Sequence, residues 1–175
     1  MRRSDGEPPS WGAPGAPLSP RHGLGQRLAA HLTLIVFLAG IGPGGALGTE
    51  TALGHVDTTH GQGEFTANTE TLTEFSQHSP QAILDWQTDI QQPAHHSLEF
   101  RQGEGFAVLN RSPGERASDF WGRVVCDATC VFTNRAGIHF QDGSFVDVGQ
   151  VIAAAGDLSS ADFLAGNYRF TGLDG

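Results

Sequence analysis

The chain has 175 residues, with 19 acidic side chains against 10 basic ones, all of them arginine, for a formal charge of −9. The absence of lysine excludes Walker-type phosphate binding, Schiff-base chemistry and the strand lysine of protein kinases. The negative charge argues against nucleic acid or an anionic membrane as partner, and an apolar content of 38% with few charges suits a packed core better than a disordered chain.

The first 48 residues differ from the rest. Met1 to Gly23 carries five of the nine prolines together with Arg2, Arg3 and Arg21, without apolar periodicity, and reads as an unfolded basic extension. A mostly apolar run follows from Leu28 to Ile41, shorter than the roughly 20 residues a membrane-spanning helix needs. Gly42-Pro43-Gly44-Gly45 breaks it, and Ala46-Leu47-Gly48 offers small residues where a signal peptidase reads. The competing reading, a buried core helix, does not explain the basic flank. Residues 1–48 are therefore expected to be a signal peptide with an extended n-region, cleaved near Gly48. The remainder carries 17 acidic side chains and 6 arginines, a formal charge of −11.

Residues 49–79 are polar, with Val56, Phe65, Leu72 and Phe75 among the sizeable apolar anchors, and are expected to form a cap region. From residue 80 short β-like runs recur at Ala82–Trp86, Ser97–Arg101, Gly105–Leu109, Arg123–Cys126, Cys130–Thr133, Gly137–Phe140, Ser144–Val148 and Val151–Ala155, separated by turns rich in Gly, Asp, Asn or Pro. Leu98 with Phe100, Phe106 with Val108, Ile138 with Phe140 and Val146 with Val148 stand two residues apart, so each pair shares one face of its strand. Val151–Ala155 lacks alternation, and its length and flanking glycines favour a strand over a helix. Ser159-Ser160-Ala161-Asp162 predicts a single helical turn by its capping box, with Gly166 ending it. This is an all-β pattern, compatible with a sandwich or with a parallel solenoid.

Chemistry-bearing pairs are few. Cys126 and Cys130 flank a three-residue turn, which in an exported chain suits a small disulfide loop; two free thiols, or a metal pair with His139 as the nearest further ligand, are the alternatives. His95-His96 is expected to be a solvated loop pair, because neighbours on a strand point to opposite faces. Arg135, His139, Asp142 and Asp147 resemble the catalytic set of a β-helical carbohydrate-active enzyme, a less favoured reading because polar turn residues occur in any solenoid. No cofactor and no resident metal is expected.

Five segments in order carry a resemblance: Ala82-Ile83-Leu84-Asp85-Trp86; Leu98-Glu99-Phe100; Ala107-Val108-Leu109-Asn110-Arg111; Val131 through Phe140; and Val146-Asp147-Val148-Gly149 with Ala161 through Phe170. Over about residues 65 to 172 the chain resembles the filamentous haemagglutinin N-terminal domain, the secretion domain of two-partner secretion exoproteins. The resemblance implies a right-handed parallel β-helix with an N-terminal cap, residues 80–175 forming its start, and a stack truncated at Gly175 with an open coil edge. It also implies a non-enzymatic domain secreted through the periplasm to the cell surface, recognised by the POTRA-type periplasmic domains of an outer-membrane pore. The domain would nucleate the folding of an adhesin or toxin whose downstream region meets host or cell-surface receptors. The family's Asn-Pro-Asn-Gly-Ile turn falls on Asn134-Arg135-Ala136-Gly137-Ile138, so Asn134, Gly137 and Ile138 carry over while Arg135 and Ala136 depart. The Leu-Asn-Arg element is kept as Leu109-Asn110-Arg111, but Ser112-Pro113-Gly114-Glu115-Arg116 replaces the glycine-rich stretch after it. Without the family, Asn110 and Asn134 are expected to cap turns of stacked coils with no partner contact. A stand-alone secreted adhesive module is the alternative function.

Overall fold

The structure, a computed structural model, describes residues 47–173. The leader expected over residues 1–48 lies outside them, apart from Leu47 and Gly48, which open the first strand. In chain order the strands are β1 (Leu47–Thr51), β2 (Gly54–His60), β3 (Gly63–Asn68), β4 (Leu72–Gln77), β5 (Gln81–Trp86), β6 (Gln91–Gln92), β7 (Ser97–Arg101), β8 (Ala107–Arg111), β9 (Ser118–Phe120), β10 (Arg123–Thr133), β11 (Ile138–Phe140), β12 (Phe145–Ala154), β13 (Asp157–Leu158) and β14 (Phe170–Thr171), with one short helix, α1 (Ser160–Leu164).

Parallel pairing stacks these strands into a β-solenoid, which resolves the sandwich-or-solenoid choice. One sheet runs β4, β7, the first half of β10 and the first half of β12, in the column Thr73, Leu98, Val124, Val146. A second runs β5, β8 and the remaining halves of β10 and β12, in the column Ala82, Val108, Cys130, Val151. The third is the short stack β6, β9, β11. The runs at Arg123–Cys126 and Cys130–Thr133 are thus one strand that turns the corner between two sheets, with its register shift between Cys126 and Thr129. The same holds for the last two runs, joined in β12.

The alternation dictates the interior. Phe75, Leu84, Leu98, Phe100, Val108, Phe120, Val124 and Phe132 form one buried cluster inside the coils, and Phe120 meets Phe132 edge-on with centroids 5.2 Å apart. Each such side chain contributes about 1.5–3 kcal/mol by leaving water. The second sheet is apolar on its outer side as well. Ile83, Leu109 and Val131 stack there under Leu158 and Phe163, with Ile152, Leu164 and Phe170 packed alongside. That double burial explains the unbroken apolar texture of Ala82-Ile83-Leu84 and Ala107-Val108-Leu109. The capping box places α1 against this face: Ser159 accepts from the Asp162 amide, 3.0 Å away, and Gly166 follows at φ 70°.

Antiparallel strands close one end. β2 pairs with β5, β1 with β2, and β3 with β4. Phe65 packs on Phe75, centroids 5.1 Å apart. The parallel stack begins at Leu72, inside the segment expected as cap, because β4 pairs with β7 rung for rung.

Candidate functional site

Three corners, where the backbone passes from sheet to sheet, carry the polar interior. A bent backbone leaves amides and carbonyls without ladder partners, and buried side chains must satisfy them.

At the corner between the second and third sheets, Asn134 is buried and its amide Nδ2 faces Asp89 Oδ1 at 3.0 Å, the Arg116 carbonyl at 3.0 Å and Ser118 Oγ at 2.8 Å. Its Oδ1 accepts from the Ala136 amide at 2.8 Å, which closes the turn on itself. Gly137 occupies φ 116° there, a conformation an L side chain rarely adopts, and donates to the Asn134 carbonyl; Ile138 then enters β11. Asp89, also buried, accepts from the amides of Gly114 and Arg116, each at 2.8 Å. One carboxylate in the first coil therefore holds the loops of the next two, and Ser112–Arg116 supplies its donors.

Asn110 departs from expectation. It lies within β8, not in a turn, and points into the interior between Leu84 and Phe132 of neighbouring rungs. Its Oδ1 accepts from Trp86 Nε1 at 3.1 Å. Arg111, next in the strand, points outward. Its Nε and a terminal nitrogen grip Asp85 at 2.6 and 2.8 Å, and the other terminal nitrogen donates to Ser160 Oγ at 2.9 Å, tying α1 to the second sheet. Burial alone would raise the Asp85 carboxyl, but Arg111 and the Thr59 hydroxyl hold it below its ordinary value. Asn110 and Arg111 on one side, and Asn134, Gly137 and Ile138 on the other, form two separate constellations.

Between the first and second sheets the corner is lined by glutamine and sulfur. Gln77 donates to the Ser79 and Ala107 carbonyls at 2.7 and 3.0 Å, and accepts from Gln102 at 2.9 Å; Gln102 in turn accepts from the Ala128 amide at 3.1 Å. In the third coil Cys126 and Cys130 flank the same corner, buried and joined as a disulfide with Cα atoms 6.2 Å apart. His139, the metal ligand considered for them, lies in the third sheet and pairs with Asp119 at 3.0 Å.

At the remaining corner His96 is buried, which corrects the expectation of a solvated His95-His96 pair; His95 alone is exposed. The residue turns inward after β6, with Nδ1 3.0 Å from the Glu70 carbonyl and Nε2 3.1 Å from Thr73 Oγ1. A carbonyl only accepts, so Nδ1 is the donor to Glu70. Gly122 passes so close that a Cβ would lie 2.0 Å from the His96 carbonyl oxygen.

The outer face of the first sheet is charged. Glu74, Glu99, Val125 and Asp147 form one outward column. Arg101 reaches Glu74 at 3.0 Å, Asp127 at 3.5 Å, and Glu99; Arg123 reaches Asp147 at 3.0 Å and lies over the Phe145 ring, 4.6 Å from its centroid. The Thr66 hydroxyl and Arg101 hold the Glu74 carboxyl below its usual value. An open groove of about 490 Å³ lies over Val125 between these charges. The four residues of the enzyme reading do not converge on it: Asp147 alone lines the groove, Arg135 pairs with Asp157 at 2.6 Å, His139 lies in β11 and Asp142 in the turn before β12.

Fold and corners together define the class, a parallel β-solenoid capped at its N-terminal end by antiparallel strands. The sequence matches no protein-family model and no curated protein.

Proposed function

We propose that the chain is the N-terminal secretion-targeting domain of a two-partner secretion exoprotein. In this reading it passes the inner membrane on the leader of residues 1–48, is recognised by the POTRA-type domains of a dedicated outer-membrane pore, and starts a β-helix whose downstream part carries adhesive or toxic activity. It has no catalytic role.

The observation that carries the reading is the register of the resembling segments. Ala82–Trp86, Ala107–Arg111 and Val131–Thr133 occupy successive rungs of the second sheet in β5, β8 and β10, Leu98–Phe100 and Val146–Val148 lie in rungs β7 and β12 of the first, and Ala161–Leu164 lies in the helix that covers the second. Asn110, Arg111, Asn134, Gly137 and Ile138 serve the coils themselves. The reading therefore assigns pore recognition to the chain before it coils, or to exposed rungs, and gives these five residues the task of driving folding after exit. The high negative charge outside the leader supports it too, since like charges slow collapse during transit.

The proposal expects a gene for such a pore beside this one, and the test is secretion in a cell that carries both. Deletion of the pore should hold the protein in the periplasm; equal release without the pore overturns the proposal in favour of a stand-alone secreted module.

A further inference from the structure

Among the described residues, β12 has a paired edge toward β10 and no strand on its other edge. Every residue of it is exposed or half-buried, and Val146, Val151 and Phe145 are among the most exposed large apolar side chains, as is Phe140 in the last strand of the third sheet. A ten-residue edge of unpaired amides and carbonyls above an open apolar interior is a template for another strand.

The in-and-out pattern of β12 reads the same in both directions. Val146 and Val148 continue the interior columns of Val124 and Cys126, and Val151 and Ala153 continue those of Cys130 and Phe132. Asp147 and Ile152 continue the outward columns of Val125 and Val131. The corner at Gly149-Gln150 sits at the centre of this palindrome. A second β12 laid antiparallel about a two-fold axis through that corner sets Val146 against the partner's Ala153, Val148 against the partner's Val151, and Asp147 against the partner's Ile152. Inward residues then meet inward residues and outward meet outward, as an isologous contact requires.

Charge favours the same end. On a chain of −9, β12 has a single ionisable side chain, Asp147, already engaged by Arg123. Like charges opposite one another would oppose self-pairing elsewhere, and this strand places none.

We propose that two copies of the chain pair end to end through β12 in this antiparallel register. The inference goes beyond the secretion reading and stands without it. In a longer solenoid the next coil would take the same edge, so self-pairing belongs to the chain by itself.

The test is sedimentation of the full chain alone, without any pore, alongside Val146→Lys, Ala153→Glu and an equimolar mixture of the two variants. The wild type is expected to sediment as a dimer that dissociates on dilution. Each variant, burying an unpaired charge at the seam, should run as a monomer with an unchanged circular dichroism spectrum. The mixture should dimerise again, because residue 146 faces the partner's residue 153. A monomeric wild type, as when another segment of the chain covers the edge, overturns the proposal. So do variants that stay dimeric, or folded variants whose mixture stays monomeric. Failure here leaves pore-dependent release untouched.

Discussion

The indole Nε1 of Trp86 donates to the side-chain oxygen of Asn110, 3.1 Å away, inside the solenoid. The bond joins the first coil to the second between the apolar rungs of Leu84 and Phe132, and it gives the Leu-Asn-Arg element a physical role. Replacement of Asn110 by leucine of similar size leaves the indole unpaired and should cost about 1–3 kcal/mol. Urea unfolding followed by tryptophan fluorescence measures it. Trp86→Phe in the same background should recover part of the loss, since the orphaned donor is then gone.

Asn134 separates two kinds of loss. Asn134→Ala removes donors to Asp89, the Arg116 carbonyl and Ser118, and should destabilise by about 2–4 kcal/mol. Asn134→Asp is nearly the same size but faces Asp89 with a second buried carboxylate, so at neutral pH it should be the worse variant. Acidification should narrow the gap between the two. Chemical denaturation at pH 7 and pH 4 checks both orderings.

The Asp85–Arg111 pair predicts a pH dependence of definite sign. The carboxyl is held below its ordinary value in the fold, so its contribution is complete above the unfolded value of about 4 and fades as pH falls through the lower folded value. Asp85→Asn should lower stability at pH 7 by about 1 kcal/mol and flatten the acid limb of the stability curve. A variant curve parallel to the wild type down to pH 2 would contradict the assignment.

The Cys126–Cys130 loop is short, so its chain-entropy contribution is about 2 kcal/mol. Thiol titration of the unfolded, unreduced protein should find no free thiol, and Cys126→Ala with Cys130→Ala should fold with a modestly lower denaturation midpoint. Two titratable thiols would show that the corner closes without the bond.

The strands of the second sheet were legible because both of their faces are buried, which writes an apolar run into Ala82–Leu84, Ala107–Leu109 and Val131–Phe132. The helix was legible through Ser159 and Asp162. A coil repeat is also written into the chain: Glu74-Phe75-Ser76 and Glu99-Phe100-Arg101 stack rung on rung, and Gln102 donates to Gln77 just after them. In the third coil Cys126 replaces the phenylalanine of this repeat, and the pattern fades. Asp89 left no signal, because an acid among Thr88, Ile90 and Gln91 resembles any loop residue until two later loops close over it. Asn110 was misplaced for a related reason: asparagine predicts turns, and only the indole of another coil makes it a strand residue.

Export of this solenoid by a dedicated pore, as proposed above, is open to direct measurement. The most direct measurement is the distribution of the protein between periplasm and medium in cells with and without the pore gene that the proposal expects beside this one. Release with the pore and periplasmic retention without it are expected; equal release in both would contradict export by a dedicated pore.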